Sequence, residues 1–206
     1  MQRKNCEGES EYMKIGILGA GKVGRTLGRK FEDVGYEVLY GTRSEREGTM
    51  SLQEVASNAQ ILLLTTPFAA AVDLIQSLRD LDDKIVIDVT NPIAKEFDAI
   101  ERPEGKSGAE HLQELAPHVR IVKAFNQTGV ENLENPNMSM MFIAGDEQES
   151  VRAVQDLASK IGFDAHTLRH LKLARELESL AWLWIHYATK ERKHRNFAFY
   201  LKENSF

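Results

Sequence analysis

Apolar positions in this chain come in short unbroken runs. Lys14-Ile15-Gly16-Ile17-Leu18 is the first, followed by Ile61–Leu64, Ile85-Val86-Ile87, Ile121-Val122 and Met140–Ala144. Runs that are apolar at successive rather than alternate positions predict strands buried on both faces. Between them the period changes. Val23, Leu27 and Phe31 stand four apart, on one face of a helix expected from Val23 to Val34, and Gly35-Tyr36 breaks it before a second strand at Glu37–Tyr40. Further helix starts are signalled by Ser51 with Glu54, by Ser107 with Glu110, and by Asp146 ahead of the pattern from Val151 to Ile161. Repeated strand–helix units predict an α/β fold of Rossmann type, doubly wound about a mainly parallel sheet, with a short C-terminal helical tail.

Three segments follow from the same pattern. Residues 1–13 are mostly polar and read as a disordered N-terminal extension, residues 14–168 as the Rossmann domain, and residues 169–206 as a C-terminal helical segment. In the last, Leu171–Tyr187 has helical spacing and precedes the basic stretch Lys190–Arg195. The stretch from Asn91 to Gly108 has no period and holds two prolines, which predicts a long surface loop over the carboxyl edge of the sheet.

Composition narrows the classes. A net charge of −5 gives no broad basic surface for nucleic acid, and the only cysteine, Cys6, excludes a disulfide framework or a pair of thiol ligands. No apolar run approaches the roughly 20 residues of a membrane span, and the start is unlike a signal peptide. The expectation is a cytoplasmic protein with neither membrane nor nucleic-acid partners.

Chemistry enters at the turn Gly19-Ala20-Gly21-Lys22-Val23-Gly24, which joins a predicted strand to a predicted helix. There the first glycine permits the tight turn, the second lets a pyrophosphate approach the backbone, and the third lets helix and strand pack closely. Free N–H groups at the helix start then face the anion. The end of the second strand selects the cofactor. NAD binders place a carboxylate there, whereas this chain has Thr42-Arg43-Ser44 with Arg46 nearby, a set suited to a 2′-phosphate. NADP(H) is therefore expected. Three further strand ends, carrying Thr66-Pro67, Asn91-Pro92 and Ala124 with Asn126, belong to the same rim and suit the nicotinamide half.

No serine elbow, paired carboxylates or P-loop lysine occurs, and no catalytic residue or metal site is assigned. His166 and His170, four apart, could share a helix face but have no acidic companion between them. A carbonyl or imine reductase would need a general acid, for which Lys123 or a histidine are the choices, and usually a larger substrate domain than the tail provides. A flavin-like hydride acceptor needs no such acid.

These segments together resemble the NADP-dependent oxidoreductases of the deazaflavin coenzyme F420. The resemblance is carried by Ile17–Gly24, Gly41-Thr42-Arg43-Ser44, Thr66-Pro67, Asp88-Val89-Thr90-Asn91-Pro92, Val122–Asn126 and Ile143–Asp146. The Asn-Pro and Lys-Ala-Phe-Asn pieces are also similar to the cytosolic domain of six-transmembrane ferric reductases. The resemblance implies pyrophosphate contacts from Ala20, Gly21, Lys22 and Val23, 2′-phosphate contacts from Thr42 and Arg43, and nicotinamide contacts from Thr66, Asn91, Ala124 and Asn126. It implies hydride transfer between NADP(H) and F420 or FMN/FAD, the small-molecule hydride acceptor, and a homodimer formed through the helical tail. The competing reading is a non-catalytic NADP(H)-binding sensor or redox subunit. Where the family has a glycine-proline-leucine segment, this chain has Arg169–Arg175.

Overall fold

The computed structural model describes residues 13–44, 46–96 and 98–204. The N-terminal extension, with Cys6, lies outside the described residues except for Met13. Eight strands form one sheet in the order β3-β2-β1-β4-β5-β6-β7-β8. They are β1 (Lys14–Leu18), β2 (Glu37–Thr42), β3 (Met50–Ser51), β4 (Ile61–Leu64), β5 (Ile85–Asp88), β6 (Arg120–Lys123), β7 (Met140–Gly145) and β8 (Asp164–Leu168). The helices are α1 (Lys22–Asp33), α2 (Leu52–Asn58), α3 (Phe68–Ser77), α4 (Gly108–Leu115), α5 (Val130–Glu134), α6 (Gln148–Lys160) and α7 (Ala174–His186). This is the doubly wound Rossmann arrangement, and its strand order reverses beside β1, where α/β sheets bind ligands.

The two faces of the sheet sort the apolar runs by period two. Ile15, Ile17, Ile61, Leu63, Ile87 and Val122 pack under α1, α5 and α6, whereas Leu18, Leu62, Leu64, Val86 and Ile121 pack under α2, α3 and α4. Both faces are covered, so every strand position could be apolar.

The sheet is mainly parallel as expected, with β7 antiparallel to β6 and β8 parallel with β7. The structure corrects the sequence reading in several places. β8 carries no apolar run because it is a half-exposed edge strand, and β3 is only two residues long. His166 lies within β8 and His170 beyond it, so the two share no helix face. α6 is capped by Glu147, whose carboxylate accepts from the N–H groups of Glu149 and Ser150, while Asp146 accepts from Leu171 N–H at 2.9 Å. The stretch after Asn91 is more than a surface loop. Ile93 bridges Ile100, Pro92 and Ala94 are buried, and a 3-10 turn spans Pro103–Gly105.

The tail begins with a 3-10 turn at Leu171–Leu173, continues as α7, and ends in a π turn at Tyr187–Glu191. The chain then folds back on itself. Trp184 stacks on Phe197 at 5.2 Å and its indole N–H donates to the Phe197 carbonyl at 3.0 Å, while Met140 N–H donates to the Phe199 carbonyl. No helix among the described residues is long and apolar enough to cross a membrane.

Candidate functional site

The glycine turn leaves β1 through Gly19, whose φ of +114° is open to glycine and strained for other residues. Gly19 N–H donates to the Gly41 carbonyl at 3.0 Å, and Gly21 N–H to the Gly19 carbonyl at 2.8 Å. The Thr65 hydroxyl, at the end of β4, also donates to the Gly19 carbonyl at 2.8 Å and so ties the turn to the neighbouring strand. A Cβ at Gly24 would lie 2.7 Å from both Ile17 Cγ2 and Thr65 Oγ1 and would collide with the Gly19 carbonyl. A Cβ at Gly21 would meet nothing within 4 Å. Packing therefore requires Gly24, while the space above Gly21 is open for something other than protein.

α1 begins there with Gly21 as its N-cap, no side-chain cap and no acidic residue in its first turn. Its first N–H groups face outward as an uncompensated partial positive charge. A cleft of about 650 Å³ opens from Gly19, Ala20 and Gly21 and runs between the Thr42–Arg46 segment and α3, with Thr66 and Pro67 at its edge. The Thr42 hydroxyl donates to the Ser44 carbonyl at 2.8 Å and lies 3.0 Å from the Thr49 hydroxyl. Thr49 in turn accepts from Arg46 N–H, which ties Arg46 to the end of β2. The side chains of Arg43 and Arg46 are exposed and form no ion pair among the described residues. The Thr66 hydroxyl is buried without a hydrogen-bond partner. Open space over Gly21, an uncapped helix start, an orphaned hydroxyl and two guanidinium groups together fit a phosphate-bearing dinucleotide.

The structure thus gathers Gly19, Ala20, Gly21, Thr42, Arg43, Ser44, Arg46, Thr66 and Pro67 on one cleft. The other residues singled out in the sequence lie elsewhere. Lys22 is exposed on a separate groove with Arg25, Arg29 and Glu131, Val23 is half-buried, and Gly24 is buried. Pro92 and Ala124 are buried, and Ala124 N–H donates to the Asp88 carbonyl at 3.3 Å. Asn91 and Asn126 form a reciprocal pair. The Asn91 amide donates to the Asn126 carbonyl and accepts from the Asn126 amide, each at 2.9 Å. Phe125, buried at φ +62°, turns the chain sharply enough to bring Asn126 back to Asn91. A left-handed non-glycine residue costs on the order of 1–2 kcal/mol, offset here by the Phe125 ring packing between Phe31 and Phe163.

Beneath this rim lies a charge cluster that the sequence reading did not assemble. Lys123, fully buried, donates to Asp88 Oδ2 at 2.8 Å, to the Thr90 carbonyl at 2.6 Å and to Glu178 Oε1 at 3.0 Å. Asp88 Oδ1 accepts from the N–H and hydroxyl of Thr90, and Glu178 Oε1 also accepts from Gly108 N–H. Burial alone would lower the Lys123 pKa, but the two carboxylates outweigh it and hold the ammonium above its ordinary value. For Glu178, burial dominates and pushes the carboxyl up. Its Oε2 is buried without a partner. A fully buried, triply bonded lysine has no route to a substrate, which removes Lys123 as the general acid of a carbonyl or imine reductase. Aspartate and lysine closing apolar strands β5 and β6 were the available signal. Glu178, 55 positions further on, was not legible as their partner.

Residues 14–92 match the family model described as NADP oxidoreductase, coenzyme F420-dependent. Over that segment the chain is similar to this family. Metalloreductase STEAP3 of Rattus norvegicus is 30% identical over 187 residues, covering 85% of this chain and 38% of that protein. The F420-dependent NADP reductase of Methanocaldococcus jannaschii is 27% identical over 143 residues, covering 65% of this chain and 64% of that enzyme. The chain spans less than two thirds of the length of either relative. Among solved structures, a candidate F420-dependent NADP reductase from Arthrobacter sp. FB24 superposes with a TM-score of 0.83 at 23% identity, over 93% of this chain and 100% of that one. That likeness establishes the shared fold.

Proposed function

We propose that this protein is an NADP(H)-dependent oxidoreductase that moves a hydride between NADP(H) and a flavin-like acceptor, F420 or FMN/FAD. The observation that carries the cofactor choice is the strand end at Thr42-Arg43, which places an exposed guanidinium on the cleft where an NAD binder has a carboxylate. Gly19, Ala20 and Gly21 with the start of α1 bind the pyrophosphate, and Arg43 with Arg46 takes the 2′-phosphate. Thr66 orients the ribose beyond it, and the Asn91–Asn126 pair shapes the floor of the nicotinamide end. When bound, NADP(H) supplies or accepts the hydride. The chain contributes orientation and exclusion of water, for which the near-attack geometry of two stacked rings is enough.

The absence of a poised acid among these rim residues favours an acceptor ring that manages its own protonation. The family description and the name of the archaeal relative support F420, and the name of the rat relative supports a metal-reducing arm. Purified protein is mixed with NADPH and, separately, F420, FMN, FAD and a ferric chelate. NADPH oxidation with at least one of the first three is expected, and silence with all of them sinks the hydride-transfer reading. Tight NADPH binding without turnover favours the sensor or redox-subunit reading instead.

We further infer that the chain pairs with a second copy through α7. Half-buried Leu180 and Leu183, the latter 56% exposed, stand three apart on α7, and exposed Tyr187 opens the turn that follows at the next helical spacing.

A further inference from the structure

The cleft that holds the arginine segment is also lined by α3. Ala70, Asp73, Leu74 and Ser77 stand three and four apart and line it from one helix face, a run of roughly 10 Å. Leu52 and Leu74 supply apolar surface to the cleft. The charges are divided between the walls. Arg43 and Arg46 carry only donors, and Asp73, on α3, carries only acceptors at neutral pH. Asp73 is exposed and forms no hydrogen bond or ion pair among the described residues. It neither caps α3, whose N-cap is Pro67, nor supports a neighbouring element.

A carboxylate on the wall of a phosphate-binding cleft repels phosphate, so whatever part of the ligand lies beside Asp73 must donate. The adenosine half of NADP(H) has two kinds of donor, the ribose hydroxyl and the 6-amino group of the base. The ribose is next to the 2′-phosphate, which in the proposed binding mode Arg43 and Arg46 hold on the other wall. Resting on the NADP(H) reading above, we propose that Asp73 accepts a hydrogen bond from the 6-amino group of adenine, so that the site takes 6-aminopurine dinucleotides and rejects 6-oxopurine ones. With a 6-oxo group in that place, O6 would face the carboxylate acceptor to acceptor, and the base could pair with Asp73 only by shifting to present its N1–H.

The test is calorimetric binding, independent of turnover, of NADPH and of its reduced hypoxanthine analogue to the wild type and to Asp73→Asn. The asparagine keeps the size and can turn its amide to donate to a 6-oxo group. The wild type is expected to prefer NADPH by about tenfold, and Asp73→Asn to bring the two within about twofold. Equal binding of both ligands by the wild type overturns the inference, as does an unchanged preference in Asp73→Asn. A uniform gain for both ligands in the variant overturns it too, because Asp73 would then act only by repelling phosphate. Failure of the wild type to bind NADPH at all overturns the cofactor reading and the inference with it, which separates the two.

Discussion

The Nζ of Lys123 stands 3.0 Å from Oε1 of Glu178, and this contact joins the end of β6 to α7 through the centre of the molecule. The same nitrogen holds Asp88 and the Thr90 carbonyl, so the strand end that leads into Asn91 and the helix of the tail share one anchor. Two carboxylates around one ammonium leave an excess negative charge unless one of them holds a proton. Burial pushes the Glu178 carboxyl up, against the pull of Lys123 and the Gly108 N–H, so Glu178 is the carboxyl whose neutralisation is tested.

Removing the cation should therefore be far worse than neutralising Glu178. Lys123→Met strands two buried carboxyls and is expected to cost about 3–5 kcal/mol in urea denaturation. Glu178→Gln keeps an oxygen for Lys123 and Gly108 and is expected to cost less than about 1 kcal/mol. Equal losses would mean that Glu178 is ionised in the folded protein.

Glycines of the phosphate turn should separate by role. Gly24→Ala places a methyl against Ile17, Thr65 and the Gly19 carbonyl and is expected to destabilise the fold by about 1–3 kcal/mol, read as a lower melting temperature. Gly21→Ala has room for its methyl, so the melting temperature should hold while NADPH binding weakens by about tenfold or more. Loss of stability in Gly21→Ala, with binding intact, would contradict the assignment of that space to a ligand.

Cofactor choice should rest on one guanidinium. Arg43→Glu puts a carboxylate where NAD binders have one, and a drop in NADPH affinity of about tenfold or more with little change for NADH is expected from titration of ligand fluorescence. An equal drop for both would place Arg43 at the pyrophosphate or outside the site.

Acid sensitivity should trace to the Glu110–Arg175 pair, which fastens α4 to α7 by bonds of 2.7 and 2.8 Å. Burial pushes the Glu110 carboxyl up, but the Arg175 and Ser107 hydrogen bonds outweigh it and bring its pKa down to about 2 from 4.5. As pH falls below 4.5 the unfolded chain takes the proton first, so this stabilisation is whole above that pH and lost as pH falls towards 2. Urea midpoints measured between these limits should fall less steeply for Arg175→Gln than for the wild type. Parallel curves would show that the pair contributes nothing.

Pairing through α7 should be broken by Leu183→Glu, which sets a charge in the middle of the exposed apolar face. Sedimentation velocity is expected to show a dimer for the wild type and a monomer for the variant. A wild-type monomer at micromolar concentration would end the proposal.

The sequence by itself determined β1, the glycine turn, α1 and β2, because their signals are local even though β1 and β2 pair with each other and the turn is tied to Gly41 and Thr65. Four-residue apolar spacing, glycines that the turn cannot replace and a helix stopped at Gly35 are local facts. It also determined which side chains stand at the ends of the buried strands. Tertiary structure alone decided the direction of β7 and the existence of β8, since an edge strand exposed on one side needs no apolar run to form. It decided that Lys123 is an anchor rather than an acid, because its charge is tolerable only beside Asp88 and Glu178, which are distant in the chain and adjacent in space. It decided as well which rim residues share a cleft, placing Asp73 opposite the arginines and Lys22 outside. Local chemistry proposes the residues of a site, and the packing of the sheet selects which of them face one ligand.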